Sequence, residues 1–155
     1  MTEVIKTSID GVFLSELKII DLAGGEVRHA IKKSDYGYSG FGEAYFSSVK
    51  PSVIKAWKKH KVMTLNLVVC FGSVKFVIFD DRKNSPSEGL FYTVTLSQDN
   101  YYRLTVPPML WMGFQGMSDK NSMLLNVVDI EHCPEELERS KITDIDYDWR
   151  VELSK

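Results

Sequence analysis

Cysteine is scarce in this chain of 155 residues: Cys70 and Cys133 are the only two. They lie far apart and lack metal-ligand spacing, so free thiols are expected rather than a disulfide framework, with Cys70 in an apolar run reading as core. Histidine is nearly as rare. His29, His60 and His132 each stand alone, whereas a histidine metal centre needs two or three at facing positions with a carboxylate, so neither a metal nor another cofactor is expected. No apolar run approaches the ~20 residues that cross a bilayer. Residues 1–10 are polar and lack the charged-then-apolar plan of a secretory signal, which points to the cytoplasm and away from a membrane. Neither charge sign dominates. Lys and Arg number 19 against 21 Asp and Glu, a formal net charge of -2, and that leaves no electrostatic footprint for nucleic acid. Internal repeats and low-complexity segments are absent too.

What remains is ordinary globular composition, 44% hydrophobic and 26% charged, in a length that suits one domain with a sizeable core. The apolar residues sit in short runs rich in β-branched side chains, at 44–49, 64–71, 74–79 and 91–96, bounded by Gly, Pro, Asn and Ser. Such runs are strands. Residues 61–71 read as one long strand with Thr64, Asn66 and Val68 on one face and Leu65, Leu67 and Val69 on the other. Gly72-Ser73 reads as a two-residue hairpin connection to the next strand. Residues 31–41 are polar and rich in Gly and Tyr, hence a loop. Pro107-Pro108 ends a strand because two prolines remove two ladder donors. Pro134-Glu135-Glu136 reads as one short helical turn with acid at its start. Many short strands with Gly and Pro turns predict an all-β sandwich or barrel with little helix.

Two phrases in this strand-rich region are distinctive: Phe79-Asp80-Asp81-Arg82-Lys83-Asn84-Ser85-Pro86 followed by Gly89, and Leu104-Thr105-Val106-Pro107-Pro108 followed by Gly113-Phe114. With Trp149 near the end, their order over residues 41–149 resembles the dTDP-4-dehydrorhamnose 3,5-epimerase family of cupins. The resemblance implies a double-stranded β-helix, the cupin jelly roll, built of two antiparallel sheets. It also implies a homodimer, with residues 4–22 as the candidate exchanged segment. The implied activity is epimerisation of a dTDP- or other nucleoside-diphosphate-linked 4-keto-6-deoxy sugar in polysaccharide or deoxysugar biosynthesis.

The family's catalytic residues are replaced. Its phrase V-[IL]-[RK]-G-x-H corresponds to Val53-Ile54-Lys55-Ala56-Trp57-Lys58. Lys55 stands at the position that contacts the nucleotide sugar, and Lys58 stands where the base histidine belongs. His60 matches the second histidine of the H-x-H phrase found in the related sugar 3,4-ketoisomerases. The histidine of the Pro107–Phe114 phrase has become Met112 or Trp111. Leu125 stands for the tyrosine proposed as acid, and Ile142 for the aspartate that orients the base. Three functions are therefore open: 3,5-epimerase, 3,4-ketoisomerase using His60, or a catalytically inactive nucleotide-sugar-binding cupin or partner subunit.

Epimerisation beside a keto group needs a base, positive charge on the enolate and an acid on the opposite face. Lys58 and His60 are the catalytic candidates, since strand alternation puts both on one, interior-facing side. Histidine suits the base because it titrates near neutral pH, and lysine does so only when burial lowers its pKa. Lys55, Asn66, Arg82, Tyr45 and Trp111 are the substrate-binding candidates: the cations for a diphosphate, the aromatics for stacking on a base or sugar. Each has a plainer reading. Arg82 pairs equally well with Asp80 or Asp81, the run Lys58 to Lys61 makes a solvated face, and large aromatics fill cores.

Overall fold

The computed structural model describes residues 2–150. Thirteen strands are present among them: β1 (Val4–Lys6), β2 (Phe13–Glu16), β3 (Ile19–Leu22), β4 (Gly25–Arg28), β5 (Glu43–Val49), β6 (Ile54–His60), β7 (Leu65–Phe71), β8 (Ser73–Phe79), β9 (Phe91–Ser97), β10 (Tyr102–Val106), β11 (Trp111–Gly116), β12 (Ser122–Val128) and β13 (Leu137–Arg139). The only helical pieces in the described residues are two 3-10 turns, Pro134–Glu136 and Ile142–Asp144. The fold is thus all-β. Two antiparallel sheets face each other, one ordered β1-β2-β10-β7-β12-β5 and the other β13-β6-β11-β8-β9, with β3 and β4 forming a separate ribbon.

Period-two alternation explains the core. Leu65, Leu67 and Val69 of β7 and Leu124 and Val128 of β12 meet Val74, Phe76 and Ile78 of β8, Val94 and Leu96 of β9, and Met112 of β11. The alternate residues of the five-stranded sheet point away from this core and would be exposed but for the C-terminal segment. There Trp149 and Tyr147 cover Trp57 and Val77, with the Trp57 and Trp149 ring centroids 5.3 Å apart. Gly113 makes this cover fit: a Cβ there would come within 2.7 Å of the Ala56 Cβ and 2.8 Å of the Trp149 indole.

Two sequence expectations differ from the structure. Gly72 does not close a hairpin, because β7 and β8 belong to different sheets. It turns the corner between them at φ 75°, which favours glycine, and a side chain there would strike Ser122. The same turn chemistry serves a sheet-to-sheet corner and a hairpin. The strand expected over 61–71 is shorter, since residues 61–63 leave the ladder and turn their N–H groups to the Glu136 carboxylate. In the single chain described, β1 and β2 of the segment expected to exchange pair with each other, β2 lying between β1 and β10.

Candidate functional site

One strand gathers the cations. Met112, a core residue, is opposite Lys58 across the β11–β6 pair, so Lys58 faces inward, and His60 follows on the same face two residues on. Strict alternation would turn Lys55 outward. A register shift between Met112 and Phe114 instead sets Lys55 opposite Phe114, which packs on the core. The extra residue of this bulge re-aims the strand. Lys55, Lys58 and His60 therefore share one face. Arg139 joins them, opposite Lys58 on β13.

His60 is the buried end of this row. Its Nδ1 lies 2.5 Å from Oε1 of Glu136, and both side chains are largely buried. The other Glu136 oxygen accepts the backbone N–H groups of Lys61, Val62 and Met63 at 3.1, 3.3 and 3.3 Å. Burial alone would raise the Glu136 carboxyl. The His60 hydrogen bond and these N–H groups outweigh it and hold the group below the ordinary glutamate range. An ionised Glu136 fixes the His60 proton on Nδ1 and leaves Nε2 as the free basic nitrogen. Among the described residues Nε2 has no hydrogen-bond partner.

The facing wall comes from the other sheet. Tyr45 of β5 and Asn126 of β12 are direct cross-strand partners, and Asn126 in turn pairs with the core residue Leu67, so both point inward. The Asn126 Nδ2 donates to the Tyr45 hydroxyl at 3.0 Å. Burial pushes the Tyr45 phenol up, the Asn126 N–H draws it back, and the charges of Glu43 and Glu136 add to the rise. The Glu136 field thus reaches both walls. Tyr45 faces inward and is still 38% exposed, with Lys55 and Lys58 exposed as well. The sandwich is therefore open between its β5 and β6 sides. Lys55 Nζ spans the opening to the Ser48 carbonyl at 3.2 Å. No carboxylate of the described residues forms an ion pair with Lys55, Lys58 or Arg139. Partial desolvation, then the charges of Arg139 and Lys55, hold the Lys58 ammonium below the ordinary lysine range. Three cations without an ion-pair partner on one face raise the positive potential there.

Other residues expected at the site lie elsewhere. Asn66 is on the outward face of β7, where its amide donates to the Gly37 carbonyl at 3.2 Å and accepts from Thr105 Oγ1 at 2.7 Å. The residue alternates with Leu65 and Leu67, and the loop over that face satisfies its polarity. Arg82 is committed to Asp80, with Nε and Nη2 each 2.9 Å from a carboxylate oxygen and Nη2 also 2.8 Å from the Asp10 carbonyl. Nε and Nη2 of its fork are engaged in closing the β8–β9 loop. Trp111 faces away from the core; it donates to Asp81 at 2.9 Å, and the Lys59 ammonium sits 4.6 Å above its ring. Glu136, Asn126 and Arg139 gave no usable signal in the sequence, since each joins His60, Tyr45 or Lys58 only through sheet register or a turn.

Comparison with known proteins is consistent with this architecture. The family model described as dTDP-4-dehydrorhamnose 3,5-epimerase matches residues 6–155. The chain belongs to the dTDP-4-dehydrorhamnose 3,5-epimerase family. Among relatives of this family, the Haloferax volcanii protein named "Probable low-salt glycan biosynthesis epimerase Agl13" is 31% identical over 115 residues, 71% of this chain and 74% of its own. The Bacillus subtilis spore coat polysaccharide biosynthesis protein SpsL is 22% identical over 94% of this chain and 99% of its own. The crystal structure of a dTDP sugar isomerase from Desulfovibrio desulfuricans superposes with a TM-score of 0.91 at 38% identity, covering 96% of this chain and 98% of that one. The two-sheet sandwich is the fold this epimerase family shares. No helix among the described residues is long and apolar enough to cross a membrane.

Proposed function

We propose that this protein is an epimerase of a nucleoside-diphosphate-linked 4-keto-6-deoxy sugar, serving polysaccharide or deoxysugar biosynthesis in the cytoplasm, with His60 as its base. The observation that carries this reading is the His60–Glu136 pair on the inner face of a sandwich that is open beside it. A 4-keto group acidifies the neighbouring C–H bonds. His60 Nε2 takes that proton, the C–H electron pair moves to the carbonyl oxygen, and an enolate results. Glu136 keeps the imidazole in the right tautomer and stabilises the imidazolium that forms. Lys58, one step along the same face, supplies charge to the enolate oxygen, while Lys55 and Arg139 hold the diphosphate. The base then sits two residues beyond the family's usual histidine position, which Lys58 occupies, and Glu136 does the work assigned elsewhere in the family to an aspartate.

A second reading, a 3,4-ketoisomerase, is favoured by one feature: His60 matches the second histidine of that group's H-x-H phrase. Incubation with dTDP-4-keto-6-deoxyglucose in deuterated water separates the readings. Deuterium at C3 or C5 with inverted product supports the epimerase. A keto group shifted to C3 supports the isomerase, and micromolar binding with neither outcome supports a non-catalytic binding protein. The expected assembly is a homodimer, since a two-fold partner covers open sheet edges, and light scattering that reports a monomer at working concentrations contradicts it.

A further inference from the structure

Removal of a proton is half of an inversion; the other half needs a donor on the opposite side of the sugar. The tyrosine that the family resemblance assigns to this task is Leu125 here. Leu125 pairs with Phe46 and Val68 and so lies on the outward face of β12. Its neighbour Asn126 faces inward and has no acidic proton to give. Directly across the strand pair stands Tyr45, whose hydroxyl accepts the Asn126 amide N–H at 3.0 Å. That bond occupies a lone pair of the phenol and leaves its own O–H free. Tyr45 belongs to the six-stranded sheet and His60 to the five-stranded sheet, and both face inward. A sugar held between the sheets presents one face to each. Asn126 is 96% removed from solvent, and its Oδ1 is buried without a partner. An unsatisfied amide oxygen there costs free energy unless a ligand hydroxyl or amide meets it.

We propose that the Tyr45 hydroxyl is the proton donor of this site and that Asn126 positions it. This rests on the epimerase reading above. Once His60 has formed the enolate, Tyr45 O–H gives its proton to the carbon from the opposite side. The enolate electron pair forms the new C–H bond and the carbonyl is restored. The phenolate left behind is held by the Asn126 N–H until solvent returns a proton to it and takes one from the imidazolium. Asn126 acts through Tyr45 and is a positioning residue.

The test is Tyr45→Phe in deuterated water with dTDP-4-keto-6-deoxyglucose, following solvent exchange and inversion separately by NMR. Tyr45 is partly exposed, so the change leaves the fold intact. The proposal expects exchange with retained configuration to persist, because His60 returns a solvent-derived deuteron to the face it came from. Inversion should fall by about 100- to 10,000-fold. Inversion at the parent rate, or exchange and inversion falling together, overturns the proposal. A parent protein that exchanges nothing overturns the epimerase reading, and this proposal with it. Asn126→Leu adds a readout that a structural role does not move. Without the N–H that stabilises the phenolate, the alkaline limb of the inversion rate should shift to higher pH; an unmoved limb contradicts the positioning role.

Discussion

Glu136 accepts three backbone N–H groups on one oxygen and the His60 ring on the other, so replacing it separates structure from catalysis. In Glu136→Gln a single amide oxygen cannot serve both sets, and its NH2 group meets either the imidazole N–H or the backbone donors. Stability is expected to fall by about 1–3 kcal/mol, the cost of leaving a buried donor unmade, measured by urea unfolding. Proton abstraction should slow while nucleotide affinity, which the proposal assigns to Lys55 and Arg139, stays within about twofold of the parent. The same contrast shows what the sequence made legible at this scale. His60 and Lys58 are readable because alternation and the family phrases both point at them, Lys55 because its phrase alone does, and Tyr45 only as an aromatic suited to stacking. Glu136 is not readable, because the Pro134–Glu136 turn reads as a helix start with acid placed for its dipole. In three dimensions that turn is too short for a dipole argument, and its carboxylate reaches back 76 residues to the strand bearing His60.

The strands themselves follow from alternation, and β5 and β12 occupy the runs their β-branched and aromatic residues mark. What alternation cannot give is which sheet a strand joins. Gly72 and Ser73 look alike in a hairpin and in a corner, and the β6 bulge, which turns Lys55 inward, leaves no trace in residue type. Asn66, a pocket candidate by its strand position, and Trp111, one by its aromatic ring, face outward in the fold, satisfied by a loop carbonyl and by Asp81. The C-terminal segment is an element of the same kind, held by the packing of its rings and by hydrogen bonds from Lys75 to the Trp149 carbonyl and between Thr93 and Tyr147. Gly113→Ala places a methyl against Ala56 and the Trp149 indole. Overpacking of this sort costs about 1–3 kcal/mol, and the expected signature is a red-shifted tryptophan emission as Trp57 and Trp149 meet water. An unchanged spectrum and midpoint contradict that packing.

For the molecule as a whole, two buried carboxylates set the acid limit. Burial would raise Asp80, but Arg82, Ser85 and Ser87 donate to it and hold it far below the ordinary aspartate range. Glu136 is lowered as well, for the causes given above. A carboxyl whose folded pKa is depressed contributes stability that is fully present above its unfolded pKa, about 4. That contribution is lost as pH falls through the folded value. Unfolding free energy should therefore stay flat from neutrality to about pH 5 and decline below it. Asp80→Asn should flatten the decline while lowering stability at pH 7. An equal slope in parent and variant contradicts the assignment. The central claim, that His60 is the base, is tested most directly by the rate of solvent deuterium exchange into dTDP-4-keto-6-deoxyglucose, compared between the parent and His60→Gln. The account predicts exchange in the parent and a loss of about 100- to 10,000-fold in the variant with nucleotide binding retained; equal exchange in the two proteins would contradict it.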